Sequence, residues 1–226
     1  MQRSRLLSIL ALGASLAYAA PAFAQPSPVT STLPCQIRLV GEFAGAPIPD
    51  PNGEFKIVVR DAASNPMPEL PVVLDFSGCM PDIQLDAPPG QNFPGMVVNC
   101  PVHQVTQITD ATGTATFRIV GKAINPICGA SPGAPFRCCQ VIVPVSPAVA
   151  LGNLTVVTLD YNGDNQVTPP DVSCLLADFF ANNLQARGDF NCDGHISVLD
   201  VSAWVSLYFG GSGGTVVPGP FCLPPP

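Results

Sequence analysis

The sequence predicts a mostly-β domain, built as a sandwich of two sheets of short strands, followed by a small unit of two helices. Three observations predict this order. The chain has 27 prolines and 20 glycines, together 47 of 226 residues, which favours short strands and many turns over a helical bundle. Short apolar runs of β type fill residues 35–154. Two amphipathic runs with helical spacing follow after residue 155.

The composition excludes several classes of function. Lys and Arg number 9 against 16 Asp and Glu, a net charge of −7, so nucleic acids and anionic membrane surfaces are poor partners. The hydrophobic fraction of 47% is too high for intrinsic disorder. There are only two histidines, and neither a phosphate-binding glycine loop nor a nucleophile elbow occurs. We therefore expect a protein that is not an enzyme.

The first 24 residues have the order of a secretory signal peptide. Two arginines precede an uncharged apolar run at residues 6–20, and the small-residue site Ala22-Phe23-Ala24 stands before Gln25. The run is shorter than the roughly 20 residues that span a bilayer. We expect cleavage near Ala24 and Gln25, secretion to the extracellular space or cell surface, and no membrane insertion. Residues 25–34, rich in Pro, Ser and Thr, are predicted to be a linker.

All nine cysteines follow the predicted cleavage site, and export favours disulfides. The odd number leaves one thiol free or intermolecular. Spacing does not fix the pairing, and several pairs are open: Cys79 with Cys100, Cys128 with Cys138 or Cys139, Cys174 with Cys192, and Cys222 with the β domain or unpaired. Zinc is disfavoured because no Cys-x-x-Cys pair occurs.

Strand-type runs are spaced by turn residues along the first part of the chain. Phe55, Ile57 and Val59 alternate with their neighbours, as in a half-buried strand. Seven short strands over about 120 residues are what an immunoglobulin-like sandwich needs. The runs are residues 37–40, 54–60, 72–76, 96–98, 114–120, 140–145 and 154–159.

Two of these stretches carry a resemblance to a known family. Residues 58–76, VVRDAASNPMPELPVVLDF, and residues 109–121, TDATGTATFRIVG, resemble bacterial immunoglobulin-like (Big-type) domains. In that family a D-x-x-G/N-x-P turn leads into a V-x-V/L strand, and a T-D-x-x-G-x-A-x-F strand follows. The resemblance implies an immunoglobulin-like β-sandwich over residues 35–154.

An internal duplication follows the β-type region. Residues 160–180 align with residues 189–209 at an offset of 29, and 7 of the 21 positions are identical. Four further positions pair apolar residues in both copies. The helical runs that end the copies contain Leu175 and Leu176 in the first and Trp204 and Val205 in the second.

Each copy begins with oxygen-bearing side chains at loop positions 1, 3, 5, 9 and 12, the arrangement of an EF-hand calcium loop. Position 7 would offer its backbone carbonyl, position 6 requires a left-handed turn, and the apolar position 8 would pair the two loops through a short β contact. We predict two Ca²⁺ sites. The first comprises Asp160, Asn162, Asp164, Gln166, Thr168 and Asp171, and the second Asp189, Asn191, Asp193, His195, Ser197 and Asp200.

The duplication also resembles the type I dockerin, a calcium-dependent module. Asp stands at position 12 of both loops, and no helical run precedes the first loop. The resemblance covers residues 155–210, ahead of a Gly/Pro-rich tail at residues 211–226, and implies a small α-helical, duplicated EF-hand-like module that attaches the protein to a cohesin domain. In that family positions 10 and 11 face the partner and are often Ser/Thr; here they are Pro169-Pro170 and Val198-Leu199.

Two functions are consistent with these observations. In one, the calcium module attaches a secreted, non-enzymatic protein to an extracellular scaffold. In the other, the protein is a self-contained structural or adhesin-like protein, and calcium only rigidifies its C-terminal part. Exposure of Val198 and Leu199 would favour attachment, and their burial would favour the structural role. The segment from Thr155 onwards has 7 acidic residues and 1 basic residue, so we expect its folding to be coupled to calcium.

Overall fold

The computed structural model describes residues 24–80, 82–87, 93–124, 128, 136–181 and 186–222. Within these residues the chain forms ten strands and two α-helices. The strands are β1 (Gln36–Val40), β2 (Phe55–Val58), β3 (Pro71–Asp75), β4 (Ile83–Leu85), β5 (Val97–Asn99), β6 (Gln104–Ile108), β7 (Thr114–Phe117), β8 (Ile119–Ala123), β9 (Cys139–Val143) and β10 (Val149–Thr158). The helices are α1 (Pro169–Phe180) and α2 (Val198–Leu207).

Eight of the ten strands form one mixed sheet that curls into half a barrel, in the order β4-β8-β1-β10-β9-β3-β6-β5. Strand β1 lies inside this sheet and runs parallel to both of its neighbours, β8 and β10. The other pairs in the sheet are antiparallel. Strands β2 and β7 form a separate antiparallel ribbon.

The ribbon and the large sheet share one hydrophobic core. Phe55 of β2 stacks on Phe117 of β7, with ring centres 5.2 Å apart. Both side chains pack in the same cluster as Ile37 of β1 and Leu74 of β3. Alternate residues of the short strands therefore face inwards, as their apolar spacing predicts.

The immunoglobulin-like sandwich predicted from the sequence is wrong. Most of the predicted strands are present, but they join into a single eight-stranded sheet instead of dividing between two sheets of similar size. The run predicted at residues 114–120 is two strands, because the chain leaves the β2–β7 ribbon at Arg118 and enters the large sheet as β8. Strands β4 and β6 were not predicted.

The prediction of a separate helical module of dockerin type is also wrong. Strand β10 runs across the predicted junction between residues 154 and 155 and leads directly into the first acidic loop. Helices α1 and α2 are short and lie on the sheet, with which they share a second hydrophobic core. The fully buried members of that core include Val40 and Val157 from the sheet, Tyr161 and Val167 from the first loop, Leu175 from α1 and Trp204 from α2.

Four disulfides are present among the described residues, and they join distant segments: Cys35–Cys192, Cys79–Cys138, Cys100–Cys222 and Cys128–Cys174. The pairs proposed within the β domain and within the repeat are wrong, although Cys222 does bond to the β domain. Cys139 is the free thiol and is buried. Each copy of the duplication is therefore bonded to the body by one disulfide, through Cys174 in the first and Cys192 in the second.

The predicted signal peptide lies outside the described residues, apart from Ala24. In the part of the chain that the structure describes, no helix has the length and apolar character needed to cross a membrane.

Candidate metal centre

Each acidic loop begins before a helix and ends at the third residue of that helix. Loop 1 (residues 160–171) connects β10 to α1, and loop 2 (residues 189–200) leads into α2 from a short 3₁₀ turn at Ala186–Gly188. In both loops the aspartates at positions 1 and 12 are buried; these are Asp160, Asp171, Asp189 and Asp200. The side chains at positions 5 and 7 are exposed, which are Asp164, Gln166, Asp193 and His195. Buried acids thus lie at both ends of each loop, and solvent reaches its middle.

A fixed set of hydrogen bonds shapes loop 1. The N–H of Asn165 donates to Oδ2 of Asp160 at 2.9 Å, and the N–H of Asp164 donates to Oδ1 of Asn162 at 2.9 Å. The carboxylate of Asp171 accepts from the N–H of Asn162 at 2.9 Å and from the N–H of Thr168 at 2.7 Å. The aspartate at position 12 thereby closes the loop and caps the first turn of α1.

Loop 2 repeats these bonds at the equivalent positions. The N–H of Gly194 donates to Asp189 at 3.0 Å, and the N–H of Asp193 donates to Asn191 at 2.9 Å. Asp200 accepts from the N–H of Asn191 at 3.0 Å and from the N–H of Ser197 at 2.8 Å. The amide of the position 3 asparagine also donates to the position 5 aspartate in both loops. The duplication seen in the sequence is therefore a duplication of loop structure.

Left-handed backbone occurs twice in each loop. Position 6 has φ of 74° at Asn165 and 83° at Gly194, as predicted. Position 4 is also left-handed, with φ of 74° at Gly163 and 64° at Cys192. This second left-handed position was not predicted from the sequence, although Gly163 was a signal for it.

One buried oxygen in loop 1 has no partner. Asp160 is fully buried, and its Oδ1 receives no hydrogen bond, whereas Oδ1 of Asp189 in loop 2 accepts from the N–H of Asp193 at 3.1 Å. Burial, together with the charges of Asp171 and Asp164, raises the pKa of Asp160 to about 7. A bound cation would supply the missing partner and offset the repulsion.

The neighbouring carboxyl groups show the same effect of burial. Burial raises the pKa of Asp171 to about 6, against the opposing effect of its backbone hydrogen bonds. Burial also raises the pKa of Asp189 in loop 2, and the charge of Asp200 adds to it. Both loops therefore hold acids whose charged forms are disfavoured without a counter-ion.

The two loops do not pair with each other through position 8, so that prediction is wrong. Val167 instead hydrogen-bonds to the C-terminal tail: its N–H donates to Thr215 at 2.9 Å, and its carbonyl accepts from Gly214 at 2.8 Å. The same tail forms isolated β-bridges with two buried acidic residues that follow strands of the sheet, Glu42 after β1 and Asp86 after β4. The residues at positions 7 and 8 of loop 1 therefore pair with the tail and not with loop 2.

A buried ionic network lies between the loops and was missed by the sequence analysis. Arg187, which precedes loop 2, forms ion pairs with Asp82 beside β4 and with Asp178 of α1. The hydroxyl of Tyr161 in loop 1 donates to Asp178 at 2.7 Å. Two signals were available: Arg187 is the only basic residue after residue 155, and Asp178 stands where the second copy has Leu207.

The four residues predicted to face a partner are all on the surface: Pro169, Pro170, Val198 and Leu199. Val198 is 65% exposed and Leu199 is 62% exposed. Phe180, the last residue of α1, and Phe209, its equivalent in the second copy just after α2, are also exposed. The observation that distinguishes the two predicted functions therefore favours attachment.

The loops fit a hard divalent cation by their donor types, since every predicted ligand offers oxygen. Within the described ranges, no three acidic, His or Cys side chains already stand together as a metal-binding group. The side chains at positions 3 and 5 accept hydrogen bonds from backbone N–H groups of their own loops. A calcium site here would also use amide, hydroxyl and carbonyl oxygens.

Comparison with protein-family models, curated proteins and solved structures gives no match.

Proposed function

We propose that this is an exported, non-enzymatic protein that binds one Ca²⁺ in each acidic loop. The observation that carries the proposal is the fully buried Asp160, whose Oδ1 has no partner inside a loop built like its duplicate. The side chains at positions 1, 3, 5 and 12 would bind the ion, with the backbone carbonyl of position 7. The hydroxyl groups of Thr168 and Ser197 would contribute directly or through water.

Calcium would act on the fold through the aspartates at position 12. Asp171 and Asp200 each lie at the third residue of a helix and accept from the backbone N–H of the residue before that helix. An ion held by the same carboxylates would fix the start of each helix relative to its loop. Since Leu175 and Trp204 of these helices pack with Val157 of the sheet, the ions would stabilise the whole C-terminal region.

Export is part of the proposal. The signal-peptide pattern of the first 24 residues supports it, and so do the four disulfides, which form in oxidising compartments. Millimolar calcium is usual outside cells, so sites of modest affinity would be filled there.

Calorimetric titration of the purified, oxidised protein with calcium tests the proposal. We expect two sites in the natural sequence, one after Asp160→Ala, one after Asp189→Ala and none in the double variant. Asp110→Ala is the matched control, because Asp110 also accepts hydrogen bonds from nearby backbone N–H groups but is exposed and lies outside the repeat. Absence of calcium binding at millimolar concentrations in the natural sequence would contradict the proposal.

A second candidate function is attachment to another extracellular protein. The exposed Val198 and Leu199 at the start of α2 favour it. A purified cohesin domain is the direct probe. Calcium-dependent binding that is lost after Val198→Asp with Leu199→Asp would support attachment, and no binding in saturating calcium would exclude this partner.

A further inference from the structure

The two loops are held to the protein body in different ways. Loop 1 is held by backbone hydrogen bonds: Ala123 of β8 donates to the carbonyl of Asp160 at 3.0 Å, and Val217 of the tail donates to the carbonyl of Asn165 at 2.9 Å. For loop 2, no backbone hydrogen bond to the sheet or tail is found among the described residues. Loop 2 is held by the ion pairs of Arg187 just before it, by the burial of Phe190 in the second core, and by side chains near the start of β1.

Two contacts make this attachment. The side-chain amide of Gln36 donates to the carbonyl of Phe190 at 3.0 Å, and Cys35 is bonded to Cys192. Cys192 is position 4 of loop 2, between the predicted ligands Asn191 and Asp193. The disulfide therefore holds the loop at the middle of its ligand-bearing segment.

This disulfide is also the most accessible of the four. Cys35 is exposed and Cys192 is half-buried. Each of the other bridges has at least one almost fully buried cysteine, namely Cys79, Cys174 or Cys222. Thiol–disulfide exchange requires a thiolate to reach a sulfur atom, so a small reductant will reach Cys35–Cys192 before the others.

We propose that the Cys35–Cys192 disulfide is a redox control on the second calcium site; this inference rests on the proposed function. A dithiol reductant attacks one sulfur to form a mixed disulfide, and its second thiol then displaces the protein thiol. Two electrons and two protons pass to the protein, leaving Cys35 and Cys192 as thiols and the reductant as its cyclic disulfide. Loop 2 then loses its covalent attachment, whereas loop 1 keeps its backbone hydrogen bonds and the largely buried Cys128–Cys174 bridge.

Release of the bridge weakens calcium binding at loop 2 for two reasons. The free loop samples more conformations, and these must be given up when the ion binds. Cys192 also has a left-handed backbone with φ of 64°, which a non-glycine residue leaves readily once it is not constrained. We expect calcium affinity at the second site to fall about tenfold or more, with the first site unchanged.

The test compares calcium titrations of the oxidised protein and of the variant Cys35→Ser with Cys192→Ser. One site should keep its affinity and the other should weaken. The control is Cys79→Ser with Cys138→Ser, which removes a bridge that contains no loop residue and joins the 3₁₀ turn at Ser77–Cys79 to the residue before β9. Near-ultraviolet circular dichroism checks that each variant retains packed aromatic side chains.

A second measurement needs no variant. The protein is treated with limiting dithiothreitol and alkylated, and the modified cysteines are identified by mass spectrometry; Cys35 and Cys192 should be modified first. Earlier modification of another pair, or two unchanged calcium sites in the serine variant, overturns the redox control while the proposed function stands. Failure of the oxidised protein to bind calcium at all overturns both.

Discussion

The guanidinium carbon of Arg187 lies 4.7 Å from the ring centre of Tyr161, and both side chains are buried. Tyr161 is position 2 of loop 1, and Arg187 lies two residues before loop 2. A single cation–π contact therefore joins the beginnings of the two acidic loops. Because Arg187 also pairs with Asp82 beside β4, the contact fixes both loops to one edge of the sheet.

Replacing Arg187 with Met should strongly destabilise the protein. The change removes the guanidinium from between two buried carboxylates, a loss that typically costs about 3–5 kcal/mol. Denaturant unfolding at neutral pH measures the free energy of unfolding. Arg118→Met is the control, because the pair of Arg118 with Glu54 is partly exposed and should contribute less than about 1 kcal/mol. Equal losses in the two variants would contradict a structural role for the buried network.

Two glycines of the loops should respond differently to alanine. A Cβ at Gly163 would lie 2.5 Å from the carbonyl oxygen of Ala123, whereas a Cβ at Gly194 would meet no atom within 4 Å. Both have positive φ, so Gly194→Ala should cost only the conformational penalty of about 1–2 kcal/mol. Gly163→Ala should cost about 1–3 kcal/mol more because of the clash with backbone. Unfolding in the presence of a chelator measures both variants, and a smaller loss at Gly163 would show that loop 1 does not lie against β8.

Removing the charge of Asp160 should have opposite effects with and without calcium. In a chelator, Asp160→Asn should raise the free energy of unfolding by about 1–2 kcal/mol, because it removes a buried charge close to two others. In calcium, the same variant should lose most of the stabilisation that the ion gives at loop 1. Asp193→Asn is the comparison: Asp193 is exposed, so its metal-free stability should change by less than about 0.5 kcal/mol. Thermal unfolding of the natural protein and of both variants, each in chelator and in calcium, measures these differences in stability.

The buried Asp86 should make stability depend on pH. Burial, with the charge of Glu42, raises the pKa of Asp86 to about 7 from an ordinary value of 3.8. Between these two values the folded protein holds a proton that the unfolded chain has released, so this contribution to stability is complete below pH 3.8 and is lost as pH rises through about 7.

The variant Asp86→Asn isolates this effect. It should match the natural sequence near pH 4 and exceed its stability by about 1–3 kcal/mol near pH 8. Chemical unfolding across this range, in constant calcium, gives the difference between the two proteins. Asp110→Asn serves as control, because Asp110 is exposed and its hydrogen bonds lower its pKa; it should give no gain at pH 8. A pH-independent difference for Asp86→Asn would contradict the expectation.

The sequence predicted the elements that depend on neighbouring residues. Alternation at Phe55 and Ile57 gave a strand, and the helical spacing after each loop gave α1 and α2. The loop pattern was also local, and the left-handed position 6 followed from Asn165 and Gly194. The pairing of strands that lie far apart in the chain could not be predicted in this way. Alternation identifies the buried face of a strand but not the strand that lies beside it.

The same limit explains the errors at the candidate site. The bridge between Cys35 and Cys192 spans 157 residues, and proximity in sequence suggested Cys174 for Cys192 instead. Pairing of Val167 with the tail depends on residues 47 or more positions later. The module boundary expected near residue 155 reflected the change in composition, whereas the hydrophobic core that contains both Val40 of β1 and Trp204 of α2 crosses it.

The position of β1 has a consequence for how the molecule is made. Synthesis proceeds from the N terminus, so β1 emerges well before its two neighbours, β8 and β10, which begin at residues 119 and 149. Ile37 and Leu39 are fully buried in the folded protein. In the nascent chain they remain exposed to solvent until more than half of the 226 residues have followed. Nascent chains that end before about residue 160 will therefore stay sensitive to protease at this strand, and resistance will come late and in one step.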